Sequence, residues 1–244
     1  MIKNKKGWII ATSVVCIAVA LVVVLTAVII PGRKKKDFIA AYGQEVFDVV
    51  GLVEKGAYIS FGTYEQDNDT SNGKEEIEWL VLEVKDGKAL IVSKYAIDCK
   101  PYNTELVATT WESCTLRSWL NNDFLSAFSS EEKAMISETS LPAGKNPEYD
   151  TDPGNETKDK IFLLNITEAN QYFSSKSSRK CKATEYAKAQ GVSVESKNCY
   201  YWLRTPGRNP DTAALDYYGG VCGYGTVNST NFAVRPALWI DLNS

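Results

Sequence analysis

The 244-residue chain contains no histidine. That absence removes Ser-His-Asp and Cys-His nucleophilic catalysis, His-ligated zinc and the usual pH switch, so any catalysis has to rest on carboxylates, Lys, Tyr or Cys. A basic surface is missing as well. The net charge of −3 combines +7 in the first 36 residues (Lys3, Lys5, Lys6, Arg33, Lys34, Lys35 and Lys36, with no acid among them) with −10 on everything that follows. An acidic domain cannot neutralise phosphates, which excludes nucleic acid as a partner. Cysteine is scarce: of six, Cys99, Cys114, Cys181, Cys199 and Cys222 follow the basic segment, and five is odd, so at least one of these is unpaired or intermolecular. Order and spacing make Cys99–Cys114 and Cys181–Cys199 possible disulfides; buried free thiols acting as small hydrophobes are the alternative.

Metal-ligand patterns are weak. Asp67-Asn68-Asp69-Thr70-Ser71-Asn72 with Glu78 superficially matches a calcium loop. Its sixth position is Asn72 rather than Gly, and Glu78 falls in an expected strand, so it reads as a solvated hairpin loop. Asp150, Asp152 and Glu156 share an acidic loop of a common kind. No metal and no cofactor is expected. Ser130-x-x-Lys133 lacks the partner motifs of penicillin-binding enzymes, and Ser capping explains it. Gly219-Gly220 and Gly223-x-Gly225 precede no helix and read as tight turns rather than a phosphate cradle.

What the chain does have begins with a long apolar run. Trp8 to Ile30 is 23 residues without a charge, closed by Pro31-Gly32 and four basic residues. That is long enough to cross a hydrocarbon core of about 30 Å and longer than the apolar region of a signal peptide, so a transmembrane helix is expected over residues 8–30. Basic residues flank both sides, and charge alone does not orient it. Over residues 31–55, Phe38, Tyr42, Val46, Val49, Val50 and Val53 recur at helical spacing, giving either a juxtamembrane stalk or a helix packed on the domain.

Residues 56–244 read as one domain. Ala57 to Tyr64 and Ile77 to Lys85 alternate like strands, and Asp86-Gly87 is a two-residue hairpin signal leading into Lys88 to Ser93. Ser113 or Thr115 caps a helix whose stripe is Leu116, Trp119, Leu120, Phe124 and Phe128. Ser129 with Glu132 forms a capping box. Leu141 to Lys158 is an exposed loop rich in Pro, Gly, Asp and Asn. Thr167 and Thr184 cap two further helices, and short strands with Gly-rich turns follow Tyr200. Helices in the middle with strands at both ends imply α+β.

Two aromatic-apolar runs, Tyr200-Tyr201-Trp202-Leu203-Arg204-Thr205-Pro206-Gly207 and Ala233-Val234-Arg235-Pro236-Ala237-Leu238-Trp239-Ile240, bracket a polar stretch. Trp79, Trp119, Trp202, Arg204 and Arg235 are expected to be structural, with the arginines paired to carboxylates or carbonyls, Asp216 and Asp241 being the candidates. Between the runs, Asn209, Asp211, Tyr217, Tyr218, Tyr224, Asn228 and Asn231 are the candidate ligand-binding residues. Tyr and Asn give contact area and adaptable hydrogen bonds at low entropic cost, and aromatic faces beside amides and carboxylates suit sugar rings. Turns that need Asn and Gly, with tyrosines packed beneath, are the plainer explanation. No catalytic residue stands out.

Ile77-Glu78-Trp79-Leu80-Val81-Leu82-Glu83-Val84 with Asp86-Gly87-Lys88-Ala89-Leu90, Trp111-Glu112-Ser113-Cys114-Thr115-Leu116-Arg117-Ser118-Trp119-Leu120-Asn121, and the two terminal runs together resemble an uncharacterised bacterial family, domain of unknown function 6273, over roughly Lys55 to Ser244. That family is in turn similar to C-type-lectin-like domains and the formylglycine-generating-enzyme fold. Formylglycine-generating oxidases need two neighbouring cysteines in their last segment, and Cys222 stands alone, so that activity is not implied. The resemblance implies a cytoplasmic basic tail over residues 1–7, a single-pass anchor in the cell membrane and a C-type-lectin-like α+β domain outside the cytoplasm. The expected function is a non-enzymatic, lectin-like ligand-binding module for a glycan or protein ligand. A structural or sensory interaction domain in the bacterial envelope is the alternative, and a carboxylate-based hydrolase a weaker one.

Overall fold

The computed structural model describes residues 53–242. The chain opens with a meander. Strand β1 (Tyr58–Tyr64) pairs antiparallel with β2 (Glu75–Lys85), which turns through Asp86 and Gly87 into β3 (Lys88–Ser93). Both turn residues have positive φ, 50° and 73°, as the tightest hairpin turns require, and Asp and Gly accept that region most readily. A short β4 (Asp98–Cys99) follows.

The middle of the chain holds short helices: α1 (Thr115–Asn121), a 3-10 turn (Phe124–Ala127), α2 (Ser130–Met135), α3 (Ile166–Tyr172), α4 (Lys176–Arg179) and α5 (Glu185–Ala189). Among them run β5 (Thr139–Leu141), β6 (Thr157–Asp159) and β7 (Ile161–Phe162). The ribbon β8 (Val194–Glu195) and β9 (Asn198–Cys199) precedes β10 (Tyr201–Pro206), β11 (Thr212–Tyr217), β12 (Gly220–Thr226), β13 (Ala233–Val234) and β14 (Ala237–Asp241).

Two five-stranded sheets result, ordered β1-β2-β3-β14-β7 and β12-β11-β10-β13-β4. Only Arg235 and Pro236 separate β13 from β14, so the chain passes from one sheet to the other through that dipeptide. Arg235 is buried at the crossing. Its Nε donates to Ser93 O at 3.0 Å, and its Nη1 donates to Arg179 O at 3.0 Å and to the Tyr201 hydroxyl at 3.3 Å. A guanidinium can bridge three segments this way because its donors are fixed in one plane.

A single apolar cluster takes side chains from both sheets. Trp79 and Trp202 are fully buried, and each satisfies its indole N–H on a backbone carbonyl, Phe61 O at 2.6 Å and Lys100 O at 2.8 Å. Trp119 is half-buried, stacked on Phe124, with the Lys100 ammonium 4.8 Å from its ring centre.

The expected α+β, C-type-lectin-like architecture is corrected here. Of the described residues 36% lie in strands and 17% in helices, and no helix exceeds 7 residues. The physical reason is visible in the stripe Leu116, Trp119, Leu120, Phe124, Phe128. It does not run along one helix. Asn121 turns its side chain to Lys160 N and Ile161 N, α1 stops, and the stripe continues in a 3-10 turn. Asn in that position favours local bonds to backbone over helix propagation.

The transmembrane helix expected over residues 8–30 and the stalk up to residue 52 lie outside the described residues. Among the described residues, no helix is long and apolar enough to cross a membrane; a span needs about 20 residues. The expected single-pass anchor, with its cell-membrane location and outward-facing domain, is therefore corrected: no described helix carries it.

Candidate functional site

The hairpin of β11 and β12 displays most of the expected tyrosines. Its two-residue turn is Tyr218-Gly219, with φ of 52° and 79°. The turn is tied down from beneath. Gly219 N donates to Asp216 Oδ1 at 2.8 Å, and the Arg179 guanidinium donates to Gly219 O through both Nε and Nη2. A Cβ on Gly219 would overlap the Lys176 carbonyl, so only glycine fits. Beneath the turn the Arg179–Asp216 ion pair is buried. Burial pushes the Asp216 carboxyl up to about 6, against the Gly219 N–H and the Arg179 and Arg235 charges that favour its ionised form.

Above this support lies an aromatic patch. Tyr217 is 47% exposed and stacks on Tyr200 with ring centres 4.5 Å apart. Tyr218 stands edge-on to both at 5.2 Å. The Tyr200 hydroxyl donates to Glu195 Oε2 at 2.7 Å, fixing the β8–β9 ribbon against the patch.

Tyr224 belongs to a different surface. On β12 it alternates outward between the buried Gly223 and Gly225, and it is 57% exposed. Its ring meets Tyr149 edge to face at 6.3 Å, with the two hydroxyls 3.3 Å apart. The Tyr224 hydroxyl and burial raise the Tyr149 pKa. The Arg208 guanidinium lies 5.8 Å from the Tyr224 ring centre. Gly223 passes close beneath Tyr149, where a Cβ would come within 2.6 Å of its ring. Next to this pair runs a groove of about 450 Å³, with Glu148, Asp150 and Asp152 on one wall and Arg208, Asn209 and Pro210 on the other. Its walls are joined by Thr151 Oγ1 donating to Arg208 O at 2.9 Å, and deeper by Asn146 Nδ2 donating to Pro206 O at 2.8 Å.

The seven expected ligand residues thus divide. Tyr217 and Tyr218 form the patch; Tyr224 and Asn209 border the groove. Asp211 follows directly, its carbonyl accepting Val227 N at 3.0 Å. Asn228 and Asn231 are exposed on the next loop, where Asn231 Nδ2 donates to Ser193 Oγ at 3.3 Å. Sequence reading missed Tyr149 and Arg208. The signal was a lone Tyr between Pro147 and Pro153 in a polar loop: an aromatic there needs something to rest on.

The remaining candidates sit in the framework. Arg204 is buried and grips Glu168 with two nitrogens, Nη2 to Oε1 at 2.7 Å and Nη1 to Oε2, while Nη1 also donates to Leu163 O at 2.8 Å. Glu168 is thus the carboxylate on Arg204, and Asp216 goes to Arg179. All five described cysteines are free thiols. Cys181 and Cys199 face each other across a bridge, with Cys199 N donating to Cys181 O at 2.9 Å. Cys99 and Cys114 serve separate elements, one on Thr230 O and one capping α1. Burial raises the Cys114 thiol to about 12 and the Cys99 thiol to about 11, which suppresses the thiolate that reactivity needs. Glu78 pairs with Lys94 at 2.7 Å on β2 rather than completing the Asp67–Asn72 loop.

A family model described as a domain of unknown function, DUF6273, matches residues 86–242. The chain belongs to the DUF6273 family. The DUF6273 match begins at the β2–β3 turn and takes in the aromatic patch, the groove and both buried arginine clusters, while β1 and the β1–β2 loop precede it. No curated protein and no solved structure matches the chain. The expected likeness of DUF6273 domains to C-type lectins and formylglycine-generating enzymes is not shown by these comparisons.

Proposed function

We propose that this domain is a binding module without catalytic chemistry, and that the groove beside Tyr149 and Tyr224 takes a polar ligand of the carbohydrate class. The observation that supports this reading is the Tyr149–Tyr224 pair. Two aromatic side chains 75 residues apart are brought edge to face at a groove whose walls carry three carboxylates and an arginine. An exposed aromatic face stacks on the apolar side of a sugar ring, while carboxylates accept from its hydroxyls and a guanidinium donates to them. Catalysis by paired carboxylates has less support. The carboxyl shifted to about 6, Asp216, is buried beneath the tyrosine turn between Arg179 and Arg235, where it holds the hairpin and faces no groove.

Glycan-array screening of the full chain, followed by saturation-transfer NMR on the best binder, tests this. Tyr224→Ala is expected to weaken binding about two- to tenfold, since stacking on one aromatic contributes about 0.5–1.5 kcal/mol beyond area burial, and Arg208→Ala about tenfold or more, since a hydrogen bond from a charged group contributes about 1.5–3 kcal/mol. Failure to bind any glycan, or binding by both variants as tight as the wild type's, overturns the reading. The Tyr200–Tyr217 stack favours a second reading, contact with a partner protein, because it presents the exposed ring of Tyr217 at the surface.

A further inference from the structure

The loop between β1 and β2 lies outside the DUF6273 match and brings three carboxylates together. Glu65, Asp67 and Glu75 each place an oxygen within 4.8 Å of the other two. Oxygens that share one calcium ion at about 2.3–2.6 Å stand no further apart than about twice that radius, so a single centre can serve all three. Acidic side chains gather on many surfaces, and the gathering alone says little.

Glu65 is what sets this cluster apart. It is only 8% exposed, and its Oε1 is buried with no hydrogen-bond donor. A buried carboxylate oxygen that lost its water and gained no donor is costly unless a cation faces it. Among the described residues, no ion pair involves Glu65, Asp67 or Glu75; Lys94, just past the end of β3, is taken by Glu78, and Lys188 by Glu185. The other two are held as acceptors. Asp67 Oδ1 receives Asp69 N and Oδ2 receives Asn72 Nδ2, both at 2.8 Å, and Glu75 Oε2 receives Gln66 N at 2.6 Å.

We propose that Glu65, Asp67 and Glu75 form a binding site for a hard divalent cation, calcium in first place. The donor set is all carboxylate, with no thiolate or imidazole, which disfavours zinc and copper. Calcium tolerates irregular geometry and fills its shell with backbone carbonyls and water, whereas magnesium demands a near-ideal octahedron. The cation would tie the end of β1 to the start of β2. It would also brace α5, because Gln66 O accepts Tyr186 N at 2.9 Å, and with it one wall of a cleft of about 630 Å³ to which Gln66 and Asp67 contribute.

The test is calorimetric titration of the chelator-stripped full chain with calcium chloride and with magnesium chloride, alongside thermal unfolding. One site per chain is expected, with a sub-millimolar Kd for calcium, magnesium at least about tenfold weaker, and a rise of several degrees in Tm near saturation. Glu65→Gln should weaken calcium binding at least about tenfold, and Glu78→Gln should bind like the wild type. Where Glu65→Gln does not fold, Asp67→Asn on the exposed loop is held to the same expectation. Absence of both heat and Tm shift at about 10 mM calcium, magnesium or manganese overturns the proposal, as do Glu65→Gln and Asp67→Asn variants that bind as tightly as the wild type.

Discussion

Removing the carboxylate from Arg204 should be among the most damaging single changes in the domain. The side chain of Arg204 is 2% exposed and that of Glu168 22%, so Glu168→Ala would strand a buried guanidinium. Its Nε already has no partner, and only Leu163 O would remain on Nη1. Breaking a buried pair by deleting one partner costs about 3–5 kcal/mol. Because Glu168 reaches the rim, the lower end, about 3 kcal/mol, is expected. Glu168 Oε2 also accepts Asn165 N at 2.9 Å in the capping box of α3, and its loss adds about 1 kcal/mol. The total, about 4 kcal/mol, corresponds to a fall in Tm of about 8–16 °C for a domain this size. Urea unfolding followed by tryptophan fluorescence would measure it, with the slope m compared to confirm two-state behaviour. Glu168→Gln keeps the cap and loses the charge, so it should fall between. The double variant Arg204→Met/Glu168→Leu should recover much of the loss, because the stranded charge is gone. A Glu168→Ala loss below about 1 kcal/mol, or a double variant as unstable as the single, would refute the reasoning.

Two further expectations follow from the tyrosine turn. Gly219→Ala should cost about 3 kcal/mol or more, since its Cβ overlaps the Lys176 backbone and separates Arg179 from the turn, whereas Gly73→Ala, also at positive φ but with open space around it, should cost only about 1–2 kcal/mol; equal losses in denaturant melts would sink the argument. Asp216 carries a folded-state pKa of about 6 against about 3.9 in the unfolded chain, so the folded state holds its proton longer. Its contribution is complete below about pH 4 and is lost as the pH rises through about 6, by about 3 kcal/mol in all. Asp216→Asn should flatten the stability profile across that window, and parallel profiles for variant and wild type would contradict the assignment.

Local signals were legible in the sequence; long-range ones were not. Asp86-Gly87 gives a hairpin because both residues tolerate positive φ, and Ser129 with Glu132 gives the capping box of α2 because both bonds close within four residues. Near misses had local competitors. Asn165, two residues before the expected Thr167, caps α3 because Glu168 stands three residues on and returns the bond. Cys114 caps α1 from between the expected Ser113 and Thr115. The expected lectin-like α+β layout failed where apolar spacing promised one helix over Leu116 to Phe128 and Asn121 broke it. In the candidate site, the outward Tyr224 of β12 could be read from its alternation with Gly223 and Gly225. Tyr149 could not be matched to Tyr224, because nothing within either segment records the pairing.

The passage through Arg235 and Pro236 has a consequence for biosynthesis. Strand β14 lies between β3 and β7, and β13 between β10 and β4, so each sheet is completed by residues made after every other described strand. A nascent chain leaving the ribosome would hold two unfinished sheets with exposed edges until residues 233–241 emerge, and then close both at once. Such a topology folds late and all together, and it leaves the partly made domain a natural client for a chaperone that shields strand edges.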